Sequence, residues 1–225
     1  MQKHNFKRVA LVAAALVAAV ALPARAAIVV TEVAPYASGN SPYGADWFEL
    51  TNTGGSAVDI TGWRMDDNSN LFANSRVLSG ITSIGAGQSV VFLESNNLPG
   101  ITASFVNAWF NGIAPVGLQI GNYTGAGVGL STNGDAVNIF DGSGVLQANV
   151  TFGASTTGFS FDNGGTLLNN AAISQLSVAG VNGAFIASNY SDVGSPGAVP
   201  EPETYALMLA GLVGVGIAAQ RRRKA

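Results

Sequence analysis

Residues 27–198 read as an all-β domain, a β-sandwich. Three observations point there. Short runs of β-branched and aromatic residues recur along the chain. Turn signals of Gly, Pro, Asn, Asp and Ser separate them at close spacing. Helical periodicity is confined to one place. A stretch of roughly 170 residues can bury about 70% of the surface its unfolded chain would expose, so one core suffices.

The elements follow in order. Ile28 to Val33 is β-branched and short, a strand. Ala34 to Ala45, with Pro35, Gly39, Asn40, Pro42 and Gly44, is a long loop. Asp46 to Asn52 is the next strand, with Phe48 and Leu50 on one face and Trp47 and Glu49 on the other. Thr53-Gly54-Gly55-Ser56 turns the chain. Val58-Asp59-Ile60 and Trp63-Arg64-Met65 are strand pieces divided by Thr61-Gly62, and Asp66 to Asn70 is a polar loop. Ser89 to Leu93 is an apolar strand. Ile101, Phe105, Ala108 and Trp109 recur at helical spacing, which predicts a short helix after Pro99-Gly100. Val116 to Gly129 is Gly-rich and gives no clear pattern. Asp135 to Phe140, the turn Asp141-Gly142-Ser143-Gly144 and Val145 to Phe152 form the clearest hairpin. In its second arm Leu146, Ala148, Val150 and Phe152 alternate with Val145, Gln147, Asn149 and Thr151, as in a sheet with one wet face. Phe159 to Phe161, Ile173 to Leu176 and Ala184 to Ile186 are candidate strands, and Ser195-Pro196-Gly197-Ala198 ends the domain.

This central sequence resembles the lamin tail domain family. The resemblance rests on Ile28 to Val33 as the opening strand with its Glu32, on the Trp-x-Glu-Leu-x-Asn strand at Trp47 to Asn52, and on Val58-Asp59-Ile60-Thr61-Gly62-Trp63. It extends to Ile84 to Val91, with Ala86 where proline is usual, to Leu130 to Phe152 and to the closing Ser195-Pro196-Gly197; residues 153–191 match least. It implies an immunoglobulin-like β-sandwich that serves as a binding or interaction module, with no shared catalytic residues.

Both ends carry addresses. Residues 1–26 have the layout of a signal peptide: a basic start through Lys7-Arg8, an apolar run from Val9 to Leu22, and small residues at Ala24 and Ala26 flanking Arg25. Cutting by signal peptidase after Ala26 leaves Ala27 first; the other reading, an uncleaved anchor, is opposed by Pro23 and the Ala-x-Ala. Residues 199–225 open with Val199-Pro200-Glu201-Pro202, where two prolines prevent helix or sheet from continuing. An apolar run from Tyr205 to Ala219 follows, close to the lower limit of about 17 residues for a transmembrane helix. Arg221, Arg222, Arg223 and Lys224 then favour the cytoplasmic side and stop the membrane passage. The three ordered features resemble the PEP-CTERM sorting signal of bacterial exported proteins. That resemblance implies an exosortase partner, transient membrane anchoring, cleavage near Pro-Glu-Pro and delivery to the cell surface or extracellular matrix. A plain membrane tail is the alternative.

Charge and composition exclude several functions. Residues 27–198 hold eleven acids against two cations, Arg64 and Arg76, a formal −9 that the whole-chain −3 conceals. Such a domain repels phosphate backbones, so nucleic acid is not an expected partner. The chain has no Cys, and its one His, His4, lies in the leader; residues 27–198 also lack Lys. Triads built on His, Cys or Lys therefore cannot form. Two-carboxylate hydrolysis of glycosides stays open in principle, since it needs only paired Asp or Glu. Calcium is the better chemical candidate, at Asp66, Asp67, Asn68 and Asn70, an oxygen-rich loop that starts like an EF-hand but has Leu71 and Val77 where Gly and Glu are required. A solvated turn is the other reading of the same residues. Glu32 and Glu49 are expected to point to water or to pair with Arg64. Trp47, Trp63 and Trp109 are either core residues or a sugar-stacking face.

The sequence thus leads to an exported, surface- or matrix-directed sandwich acting as a structural or adhesive module, with exopolysaccharide as an expected candidate partner. A carbohydrate- or calcium-binding module is the alternative, and an unrecognised hydrolase comes third.

Overall fold

The computed structural model describes residues 28–197. The signal peptide, its cleavage site, the sorting motif, the apolar run and the basic tail lie outside the described residues.

Two five-stranded sheets face each other. The first has the order β11-β1-β2-β7-β8, built from Phe161–Asp162, Ile28–Ala34, Trp47–Asn52, Ser89–Glu94 and Gln119–Tyr123. The second has the order β12-β10-β9-β4-β5, from Ala171–Ile173, Leu146–Phe152, Asp135–Phe140, Arg64–Asp66 and Arg76–Val77. Short pairs β3 (Val58–Asp59) with β6 (Ser83–Ile84), and β13 (Phe185–Ile186) with β14 (Val193–Gly194), complete the strands.

Between the sheets lies the main core: Val30, Val33, Phe48, Leu50, Val90 and Phe92 from the first sheet, against Met65, Val137, Ile139, Val150 and Phe152 from the second. Phe48 stacks on Phe92 at 5.6 Å and touches the ring of Tyr123 at 5.4 Å. The expected inward face of β2 is therefore the observed one. In β10, Ala148, Val150 and Phe152 are buried as expected, but Leu146 is exposed, because the register with β9 shifts between Leu146 and Ala148.

The first sheet is buried on both faces. The helix α1, Leu98–Phe110, links the parallel strands β7 and β8, and the crossover lays it on the sheet's outer side. Asn97 caps its start, and Pro99 sits in the first turn, where a missing N–H costs nothing. The helix thus begins three residues before the predicted Ile101, since Pro99-Gly100 opens it instead of preceding it. Phe105 and Trp109 meet Trp47 edge-on at 5.9 and 5.8 Å, and Val91, Leu93 and Tyr43 fill in around them. Trp63 is buried in the main core. All three tryptophans are thus interior, which corrects the idea of a sugar-stacking tryptophan face.

β8 arises from the Gly-rich stretch that showed no pattern. Gly121 in its centre leaves room for Ser79 and Phe92: a Cβ there would stand 2.5 Å from the Ser79 carbonyl and 2.6 Å from the Phe92 ring. Towards the C-terminus the strands are β11 to β14, and the predicted strand at residues 173–176 is instead Ala171–Ile173, pairing in parallel with β10.

Candidate functional site

The outer face of the first sheet has an apolar half under α1 and a polar half that is also sealed. The polar half begins with a β-bulge. Register between β1 and β2 shifts between Val30 and Glu32. With Val30 and Val33 both in the core, Thr31 and Glu32 both turn to the outer face. Glu32 lies directly opposite Glu49 on β2, with Thr51 and Ser89 alongside. Glu32 is 0% and Glu49 2% exposed. This corrects the expectation that they point to water or pair with Arg64.

What covers them is the end of the domain. Ser195 donates to Glu32 twice, from its backbone N–H at 2.8 Å and from its hydroxyl at 2.9 Å. Ser160 Oγ donates a short hydrogen bond to the same carboxylate, and Ser177 Oγ adds a longer one at 3.4 Å. Glu49 accepts from Thr31 Oγ1 and from the backbone N–H of Gly197, both at 2.6 Å. Gly194 passes so close that a Cβ would lie 2.5 Å from Glu32 Oε1 and 3.0 Å from the Trp109 ring. Two acids thus hold residues 194–197 against the sheet.

Burial dominates their protonation. Removal from water pushes Glu32 up to about 7 against the lowering effect of its donors. Burial, and then the neighbouring Glu32 charge, hold Glu49 well above the usual carboxylate range. Burial also pushes Asp46 up to about 7; its carboxylate accepts the Ser38 N–H at 2.7 Å and anchors the long loop after β1. As a paired acid and base, Glu32 and Glu49 have no route to a substrate while the closing segment is in place.

The Asp66–Asn70 loop is ordered by its own acids. Asp66, 0% exposed, accepts Ser69 Oγ and Leu71 N–H, both at 2.7 Å, through Oδ2. Its Oδ1 is buried with no hydrogen-bond partner. Asp67 Oδ1 accepts Ser69 N–H, the Asn68 N–H goes to Asp135 Oδ1, and Asn70 adopts a left-handed φ of 50°. The loop therefore brings Asp66 and Asp67 together but turns one inward and the other onto its own backbone. Among the described residues no cluster of three or more His, Cys, Asp or Glu could hold a metal ion.

Sequence reasoning gave no role to a cleft at one corner of the sandwich. Edge strand β5 of one sheet approaches edge strand β8 of the other, where Ser79 and Asn122 form a bridge with both backbone hydrogen bonds at 2.9 Å. Arg64, Arg76, Val77, Ser79, Asn96, Asn122, Tyr123 and Thr124 line a cavity of about 390 Å³ there. The available signal was that Arg64 and Arg76 are the sole cations of residues 27–198.

The family model for the Lamin Tail Domain matches residues 22–154, more than half of the chain. The chain belongs to the lamin tail domain family. A second family model, the PEP-CTERM protein-sorting motif, matches residues 198–224. No curated protein matches the chain. The lamin tail domain here is an immunoglobulin-like sandwich, and strands β11 to β14 follow the matched region. The sorting motif marks the protein as an exosortase target, exported across the inner membrane, transiently anchored there, and then placed at the cell surface or outside the cell.

Proposed function

We propose that this lamin tail domain is a non-catalytic structural or adhesive module of the cell surface or extracellular matrix. The observation that carries the reading is the pairing of an exosortase signal with a sandwich whose best-opposed acids, Glu32 and Glu49, are sealed and engaged in holding its closing segment. In this reading residues 1–26 are removed at Ala24-Arg25-Ala26, residues 27–198 are the working domain, and residues 199–225 are the sorting tail. Exosortase recognises Val199-Pro200-Glu201-Pro202, and Arg221, Arg222, Arg223 and Lys224 hold the tail's end in the cytoplasm.

The test has two arms. Glu201→Ala should leave membrane insertion intact but block processing, so that a longer, membrane-bound form accumulates; release like the parent would sink the sorting assignment. Deleting residues 28–197 while keeping both signals should weaken matrix cohesion or surface attachment, and unchanged cohesion would overturn the adhesive role. Calcium at Asp66, Asp67, Asn68 and Asn70 is a second reading, supported by the donorless, buried Asp66 Oδ1.

A further inference from the structure

We propose that the corner cleft lined by Arg64 and Arg76 binds a carboxylate of an acidic saccharide, a uronate ring within a sparsely charged glycan. The argument begins with a charge imbalance. Eleven acids surround two arginines in residues 27–198, so a surface arginine with no assigned work would readily find a carboxylate. Neither does among the described residues. Arg64 donates through Nε to Ser75 Oγ at 2.7 Å and through Nη2 to the Ser75 carbonyl, while its guanidinium lies over the Phe72 ring at 5.4 Å. Arg76 donates through Nε to the Ala126 carbonyl at 2.8 Å and through Nη1 to the carbonyls of Asn74 and Ser75. The nearby acid Glu94 lies against Gly125 instead.

Carbonyls and a hydroxyl orient a guanidinium without neutralising it. Each has five N–H donors in a fixed fork, and these contacts leave donors over for a planar, two-oxygen acceptor. Both side chains are therefore held in place, still carry their charge and share one cleft. Its volume falls in the range of about 300–1,000 Å³ usual for ligand pockets. The remaining polar lining, Ser79, Asn96, Asn122 and Thr124, offers neutral amides and hydroxyls of the kind that pair with ring hydroxyls. The formal −9 of residues 27–198 opposes a polymer with a charge on every unit, which favours a ligand whose charge is local and whose other contacts are hydroxyls.

This inference rests on the reading of the protein as a surface or matrix module and names its partner chemistry. The exported, processed protein should be titrated calorimetrically with an aldotriouronate, one glucuronate on two neutral xyloses, with its methyl ester and with inorganic sulfate. The aldotriouronate should bind saturably and weaken as salt rises; the ester, lacking the charge but keeping the hydroxyls, should bind at least tenfold more weakly, and so should sulfate. Asn96 is exposed, so Asn96→Asp should leave the melting temperature unchanged while a new negative charge beside the bound one weakens the aldotriouronate roughly tenfold or more. Arg76→Gln should weaken it to a similar extent. No binding at millimolar aldotriouronate, equal binding of the ester, or an unaffected Asn96→Asp variant would overturn the proposal. Sulfate binding as tightly as the aldotriouronate would overturn its saccharide part. If aldotriouronate binding behaves as expected but Asn96→Asp cells keep parental matrix cohesion, the surface reading fails and the cleft assignment stands.

Discussion

Glu32→Gln should flatten the dependence of this protein's stability on pH. Glu32 is fully buried, and its carboxyl is pushed from an ordinary 4.5 up to about 7. A folded-state pKa raised above the unfolded one means that folding favours the protonated form. Its contribution is fully present below about 4.5 and is lost as pH rises through about 7. The difference of roughly two and a half units, at about 1.4 kcal/mol each, is about 3 kcal/mol for complete titration. For a domain of this size 1 kcal/mol moves the melting temperature by about 2–4 °C, so the parent should melt roughly 6–12 °C lower at pH 9 than at pH 5. Glu49 and Asp46, both raised by burial, act in the same direction.

Glutamine keeps the size of Glu32 and an oxygen able to accept the Ser195 N–H, but cannot ionise. At pH 5 the variant should lie within about 1 kcal/mol of the parent, the scale of one rearranged hydrogen bond. At pH 9 it should be the more stable protein. It also removes the charge that helps raise Glu49, flattening the profile further. Scanning calorimetry of the exported protein across pH 5–9 measures both curves. A parent whose melting temperature is flat or rises with pH, or a variant that retains the parent's fall, would refute the reasoning.

Other outcomes are expected. Phe48→Asp places an unpaired charge between Phe92 and Tyr123 and costs several kcal/mol; loss of the far-UV β signal is the expected result, and a folded variant would mean the inward face is wrong. Millimolar Ca²⁺ should raise the melting temperature if the Asp66 loop takes the ion, and Asp66→Asn with Asp67→Asn should abolish the rise; a parent that does not respond removes calcium. Mass spectrometry of the exported protein should find Ala27 at its N-terminus, and an intact Met1 there would show that the leader is retained.

The sequence revealed what alternation and turn chemistry could carry. Phe48 and Leu50 were assignable to the core because they share a face of a strand bounded by clear loops. The hairpin around Asp141-Gly142-Ser143-Gly144 was legible for the same reason. The other face of β2 was not, because Glu49 in a strand looks solvated until the segment that covers it is known. Its Gly197 partner is 148 residues away, and the Ser195 partner of Glu32 is 163 away. The bulge at Thr31-Glu32 hid the register too, since it breaks the period of two. β8 was missed because its place beside β7 is reached through a helix and not a tight turn, and because Gly121 answers to packing against Ser79 and Phe92, not to strand propensity. The cleft was invisible because Arg64 and Arg76 gain their common setting from two sheet edges meeting.

The residues that carry the family resemblance work inside the fold. Trp47 seats the helix, Glu32 and Glu49 hold the closing segment, and the Asn52 side chain donates to the carbonyls of Ser56, Ile84 and Gly85 while accepting the Gly54 N–H. Family membership therefore speaks to how the sandwich assembles. It also sets the geometry of release. Among the described residues the last anchored contact is at the Gly197 N–H, and Pro200 follows three residues later, a reach of at most about 11 Å of extended chain. An exosortase acting at the Pro-Glu-Pro element must therefore work close against the folded domain. Because Ser195 and Gly197 are tied to Glu32 and Glu49 upstream of Pro200, a cut at the Pro-Glu-Pro element would leave those contacts on the domain's side.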